Sequence, residues 1–319
     1  MKTKLFVIKS IFIFLLSYTI LFILYYIVNP EQKFKHSITN KKFVNTKEYS
    51  IIQFDKLKND KYILVFGTSQ SHMISTKMMK TNTLNFHNLY AEPGDILNFL
   101  SQLDNKQIKN ITKIIYLIDL RAGALRIDKN LINYSEKKLS VVLTHSMLIN
   151  LFNDIKKNIF KNYVSYLEED GSIYYLNPSK HIKSIEQFNQ EALLEYNDKL
   201  IQDIVKIDKF SKKYNIHIKY ITPVVNEKYF KVMNFDKLSF FYLKLLENNI
   251  KDINLFYYIN GYSNLKNNKG EYIAFVQKDH LNQKYVSMWL NEYILKKSKF
   301  NINNKKELIH YINNTKRLQ

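Results

Sequence analysis

The sequence predicts an α/β protein: a doubly wound, mostly parallel sheet flanked by helices, preceded by one N-terminal transmembrane helix. Three observations predict it. Short runs dominated by apolar β-formers, Tyr62–Phe66 (YILVF) and Ile114–Leu120 (IIYLIDL) among them, have the composition of strands buried on both faces. These runs alternate with segments of helical periodicity, which is the order of βαβ units. Near the N-terminus, Ser10–Val28 is apolar and free of charge, over about the 20 residues that a bilayer demands of a helix.

Residues 1–30 read as an uncleaved anchor. A cleaved signal peptide would have a shorter apolar region ending in small residues, whereas this one ends Tyr25-Tyr26-Ile27-Val28-Asn29-Pro30, and its tyrosines suit an interfacial belt. Lys2, Lys4 and Lys9 flank one end, and Lys33, Lys35, Lys41, Lys42 and Lys47 the other. By count alone the large domain would lie in the cytoplasm, but long domains translocate regardless of flanking charge. The expectation is a single-pass membrane protein with its domain outside the cytoplasm. Residues 31–60 are polar and lysine-rich, the composition of a stalk.

The α/β domain is expected over 61–298. After the Tyr62–Phe66 strand comes a second, Thr83–Phe86, then a helix over Ile96–Gln107 capped by Asp95, with Ile96, Leu97, Phe99, Leu100 and Leu103 on its apolar face. Ile114–Leu120 is the next strand. Asn130–Tyr166 has mixed helical periodicity, and Glu168-Glu169-Asp170-Gly171 is a turn. A polar helix over Ser184–Tyr214 leads to the strand Ile216–Ile221, ended by Thr222-Pro223. Asp236–Asn249 is helical, Ile253–Ile259 a strand, and Asn260–Gly270 a polar loop. Asn282 caps a last helix that turns Val286, Trp289, Leu290 and Ile294 inward. Residues 299–319 read as a basic tail, solvated or a frayed helix.

Composition excludes several chemistries. The 319 residues contain no cysteine, so a thiolate nucleophile, a disulfide framework and cysteine-bound metals are ruled out. Eight histidines show no paired metal-binding spacing, and six glycines include no phosphate-cradling loop. No metal, nucleotide or other cofactor is expected. The net charge of +20 comes almost entirely from lysine, since only Arg121, Arg126 and Arg317 are arginines. Nucleic-acid readers lean on arginine for bidentate contacts, so no nucleic-acid partner is expected.

The stretch that bears chemistry is Lys61–Ser75, KYILVFGTSQSHMIS, in which a buried strand ends at Gly67 and Ser69 stands just beyond its carboxyl end. In open α/β sheets that edge is where ligands bind. A serine hydroxyl becomes a nucleophile only when a base takes its proton, and His280, in a loop before the last helix, is the candidate base. His72, three residues after Ser69, reads as a site residue or, the preferred reading, as a first-turn helix residue. Arg121 reads as a surface ion-pair residue.

These residues carry a resemblance. Gly67-Thr68-Ser69 after its strand, Asn88 through Gly94, and Gln277-Lys278-Asp279-His280-Leu281-Asn282 resemble, in order and spacing, blocks of the SGNH (GDSL-type) hydrolase superfamily, in particular its membrane-anchored bacterial branch. The resemblance implies an SGNH-like, flavodoxin-like domain with Ser69 as nucleophile and His280 as base. It implies an oxyanion hole from the Ser69 and Gly94 N–H groups, with Asn88 or Gln70 standing in for an asparagine of a third block that Leu117–Arg121 does not supply. The family's acid sits three residues before the histidine, where this chain has Gln277. Asp279, Asp119, a Ser-His dyad, or loss of catalysis are the ways to accommodate that departure.

Members of the family are esterases and O-acyltransferases, and the anchored branch includes envelope-polysaccharide O-acyl transferases and esterases and D-alanyl transfer proteins. The implied function is a serine esterase or O-acyltransferase acting on cell-envelope polysaccharide. Its partners would be an acylated glycan or acyl donor, the membrane, and a membrane-bound acyltransferase. Two other expectations stand beside it: a catalytically silent partner of such an acyltransferase, and a cytoplasm-facing lipid esterase.

Overall fold

In a computed structural model, the described residues are 2–30, 37–39, 41–43, 54, 60–67, 69–87, 93–118, 144–163, 165–168, 170–176, 198–275, 280–294 and 300–318. Their helices, in chain order, are α1 (Lys2–Val28), α2 (Thr76–Met79), α3 (Pro93–Ser101), α4 (Asn105–Lys109), α5 (His145–Phe160), α6 (Asp198–Lys213), α7 (Glu227–Phe230), α8 (Phe235–Glu247), α9 (Gln283–Trp289) and α10 (Lys305–Lys316). The strands are β1 (Tyr62–Phe66), β2 (Thr83–Asn85), β3 (Ile111–Leu117), β4 (Ser165–Leu167), β5 (Ile173–Tyr175), β6 (His217–Ile221), β7 (Ile253–Asn254) and β8 (Asn301–Ile302).

Six strands form one sheet in the order β2-β1-β3-β6-β7-β8, parallel throughout except at β8, while β4 and β5 form a separate antiparallel hairpin. The chain leaves β1 toward one side and, after β2, returns to build on the other. That reversal, between β1 and β3, is the kind of switch point beside which open α/β sheets bind ligands.

Both faces of the sheet are covered, as all-apolar strands require. Tyr62, Leu64 and Phe66 of β1 point one way, into a core with Phe99 and Leu100 of α3, Ile204 of α6, Phe241 of α8 and Leu308 of α10. Ile63 and Val65 point the other way, toward Met79 of α2, and Val286 and Trp289 of α9. Alternation within one strand thus feeds two cores, with each fully buried large side chain contributing about 1.5–3 kcal/mol. Asn282 caps α9 by accepting from Tyr285 N at 3.3 Å. After α9 the helix widens into a π-turn, Leu290–Ile294, whose last carbonyl accepts from buried Lys219 of β6 at 2.7 Å.

Several elements differ from expectation. The helix expected over Ile96–Gln107 begins at Pro93, which places Asp95 inside the first turn and not at the cap, and it ends at Ser101. A second helix then starts where Asp104 and Gln107 close a reciprocal capping box. β3 runs Ile111–Leu117 because Thr112 and Lys113, though polar, lie at the strand's less buried start. β7 stops at Asn254, where the backbone turns to other partners: Phe256 N donates to Thr222 Oγ1 at 2.6 Å, and Tyr257 O accepts from Val225 N at 3.0 Å. The polar helix is described from Asp198 on; 184–197 lie outside the described residues.

The basic tail is a correction. β8 pairs antiparallel with β7, and α10 seats Leu308 and Ile312 in the main core, so the domain extends through Lys316. Most of 31–60 lies outside the described residues, but those described do not stand away from the domain as a stalk would. Phe54 is buried edge-on against Tyr62 and Phe99, and Lys42 bridges to Leu167.

The stretch Lys4–Val28 of α1, which contains an 18-residue window of mean hydropathy 2.5, is long and apolar enough to span a membrane or to act as a signal sequence. It ends at Asn29, in the left-handed conformation (φ 47°) common after a helix C-terminus, and then Pro30. Tyr25 and Val28 at this end are buried in a small cluster with Met147, Leu151 and Ile155 of α5.

Candidate active site

The site is built first from the turn after β1. A Cβ on Gly67 would meet Ser71 Oγ at 2.5 Å, Ser71 Cβ at 2.7 Å and Leu117 Cβ at 3.1 Å, so only glycine fits while the chain folds back this tightly. Ser69 opens the 3-10 turn Ser69–Ser71, which Asn85 of β2 braces from beneath. Its buried amide donates to Ser71 O at 2.7 Å and to Ile74 O at 2.8 Å, while its Oδ1 accepts from His87 N at 3.0 Å. The polar residue at the end of β2 therefore shapes the turn at the end of β1.

The second contribution is the loop before α9. Phe275 and Leu281 pair as an isolated bridge, and Asn282, besides capping α9, donates its amide to Ile273 O at 2.8 Å. The loop is pinched shut at its base. His280 emerges there, 7% exposed.

These two segments meet through histidine rings. The His280 ring stacks on that of His72, with centroids 5.2 Å apart and planes 27° from parallel. On its other sides His72 meets His87 at 6.0 Å and Tyr175 of β5 at 5.6 Å. The hairpin is stitched to the same place: His72 O accepts from Ile173 N at 2.8 Å, and Asp170 O accepts from Asn85 N at 2.7 Å. Gln283 of α9, with its amide oriented to satisfy both groups, pairs with the Tyr175 backbone N and O at 3.0 Å each.

Electrostatics keep the inner rings neutral. Burial, and then the neighbouring His280 and His87, hold the His72 imidazole well below its ordinary value. Burial lowers His87 to about 4. Near-parallel rings cannot aim their nitrogens at one ion, and among the described residues no group of three His, Cys, Asp or Glu side chains is arranged to hold a metal.

The other expected residues fall as follows. Gly94 lies in the first turn of α3, whose N–H groups have no partner within the helix, at the carboxyl edge that β2 leads to. A Cβ there would stand 3.3 Å from Asp203 Oδ2 of α6, so close helix packing also favours glycine. Gln70 is the partly buried middle residue of the 3-10 turn. Asn88, Asp119, Arg121, Gln277 and Asp279 lie outside the described residues, as does the side chain of Ser69.

No protein-family model matches this chain, and no curated protein matches its sequence.

Sequence reasoning misplaced His72 and did not single out His87 or Tyr175. His72 is a buried turn residue, four positions ahead of the first residue of α2, and not a first-turn helix residue. His87 was not singled out at all. The signal that would have found it is position: like Ser69, it follows a strand of the parallel sheet by two or three residues at the carboxyl edge.

Proposed function

We propose that the chain is a membrane-anchored, SGNH-like serine esterase or O-acyltransferase acting on cell-envelope polysaccharide, with Ser69 as nucleophile and His280 as base. The observation that carries this reading is the packing of His280 against the turn that Ser69 opens, through His72 three residues farther on. The strand order supports it as well, because the proposed serine would follow β1, beside the reversal where such sheets bind ligands.

The chemistry balances as acyl transfer. His280 takes the Ser69 proton as Oγ attacks the ester carbonyl; the tetrahedral intermediate expels the alcohol, which leaves with that proton, and an acyl-serine remains. Water or a sugar hydroxyl then gives its proton to His280 as it attacks the acyl-serine, and the second intermediate expels Ser69 Oγ, which takes that proton back from His280. First-turn N–H groups such as that of Gly94 would stabilise the oxyanion, a contribution on the order of 3 kcal/mol per donor.

The anchor reading has its own support. The end of α1 is tied into the domain by the Tyr25 and Val28 cluster and by Lys42 Nζ, which donates to Val28 O at 2.6 Å. Cleavage after a signal sequence would strip those contacts away.

The test is the full chain in detergent with a chromogenic acetyl ester and a fluorophosphonate probe. Ser69 should be labelled, and Ser69→Ala and His280→Ala should each abolish ester cleavage. Full activity in Ser69→Ala would overturn the reading. The burial of His280 and the glutamine at position 277 favour one second reading, a catalytically silent partner of a membrane acyltransferase. An unlabelled, inactive wild type that co-purifies with such an enzyme would establish it.

A further inference from the structure

Helix α5 is apolar on two opposite faces. One face carries Met147, Leu151 and Ile155 onto the end of α1, together with the buried Asp154, which accepts from Thr39 Oγ1 at 2.8 Å. The other face carries Ile149, Phe152, Ile159 and Phe160, which are 46%, 56%, 66% and 69% exposed. With Lys156 these positions follow the three- and four-residue spacing of one helical stripe. Large apolar side chains exposed in a row mark an interaction surface.

Two observations say what covers it. The stripe belongs to a helix seated against the last turns of α1, whose own Ile20, Ile23, Leu24, Tyr26 and Ile27 are exposed, so lipid around the one is beside the other. The charge also fits. Exposed Lys156 lies on the stripe, exposed Lys161 follows Phe160 as the helix's C-cap, and the only acid in α5, Asp154, is turned inward toward Lys42. Apolar side chains interspersed with lysine and free of exposed acid suit an anionic membrane surface.

We infer that this face of α5 lies in the headgroup and upper acyl region of an anionic bilayer beside the anchor, holding the domain against the membrane that α1 tethers it to. The inference rests on the anchor reading of α1. It adds a second, interfacial contact, which would fix the height and tilt of the domain.

Because the chain has no cysteine, single cysteines can be placed at will. Phe152→Cys, Phe160→Cys, Leu15→Cys on α1 and Phe240→Cys on the remote α8 would each carry an environment-sensitive fluorophore on the full chain. The labelled chains would be reconstituted in phosphatidylglycerol/phosphatidylethanolamine vesicles with quenchers at headgroup or mid-acyl depth. The Phe152 and Phe160 labels are expected to shift to the blue and lose most of their emission to the shallow quencher, Leu15 to the deep one, and Phe240 to neither. If the labels at 152 and 160 behave like Phe240 while Leu15 is quenched, the inference is overturned and the anchor stands. If Leu15 also reports water, both fall. Label proximity between chains that rises with protein concentration would make a second copy the occupant, and would overturn the lipid assignment.

Discussion

The imidazole of His280 lies over that of His72, with centroids 5.2 Å apart and planes 27° from parallel, joining the loop before α9 to the turn after β1. A ring held on one face by another ring keeps one orientation, and the base proposed for His280 would have to keep one orientation to serve one hydroxyl. Displacing a reacting group by about 1 Å can cost on the order of 100-fold in rate. His72→Ala should therefore lower kcat for ester cleavage by about that factor with KM little changed, and His72→Phe, which keeps an aromatic plane, should restore most of it. Equal loss in both variants would show that His72 does not act by positioning.

Gly67 is fixed by what surrounds it. The methyl of Gly67→Ala would collide with Ser71, an overpacking that costs about 1–3 kcal/mol. Ser71→Gly removes both colliding atoms, so the double variant should be more stable than the two single changes sum to, by about 1 kcal/mol or more. Urea unfolding of the four proteins measures the coupling, and simple additivity would place the constraint elsewhere.

The sheet was largely legible in the sequence, because strands buried on both faces are written as apolar runs closed by glycine, asparagine or proline. Asn282 likewise announced the start of α9 by its cap. Residues 299–319 were misread because two buried apolar residues, Leu308 and Ile312, are outnumbered by lysines on the solvated side of α10. Of the candidate site, the carboxyl edge was legible from the alternation of strands and helices, and His280 was singled out by its loop before the last predicted helix and by the family resemblance. The ring stack was not: His72, His87 and Tyr175 come from separate segments, and only the completed fold brings them to His280.

Acid should loosen this cluster. His87 binds a proton near 6.5 when unfolded but only near 4 when folded, and His72 is shifted the same way. Between those values the unfolded chain holds more protons than the folded one, so stability falls as pH drops from 6.5 toward 4. For His87 alone the loss is on the order of 3 kcal/mol. His87→Phe should flatten that part of the profile of unfolding midpoint against pH. An unchanged slope in the variant would mean that other groups govern the acid limb.

The junction of α1 and the domain depends on a buried ion pair. Lys42 Nζ lies 3.7 Å from Asp154 Oδ2, with side chains 6% and 0% exposed, and also donates to Val28 O. Burial raises the Asp154 carboxyl above its ordinary value, against the lowering effects of Lys42 and Thr39. Lys42→Met removes the compensating charge and should destabilise by about 3–5 kcal/mol, whereas Lys42→Met with Asp154→Leu should recover much of that loss. The sign of the pH dependence identifies the cause. The Asp154 carboxyl, already raised in the wild type, should be raised further once Lys42 is gone, so the single variant should gain more stability than the wild type as pH falls through that range, and the double variant should not. If the single variant lost stability on acidification as steeply as the wild type, its defect would lie in the missing Val28 contact and not in an unpaired carboxylate.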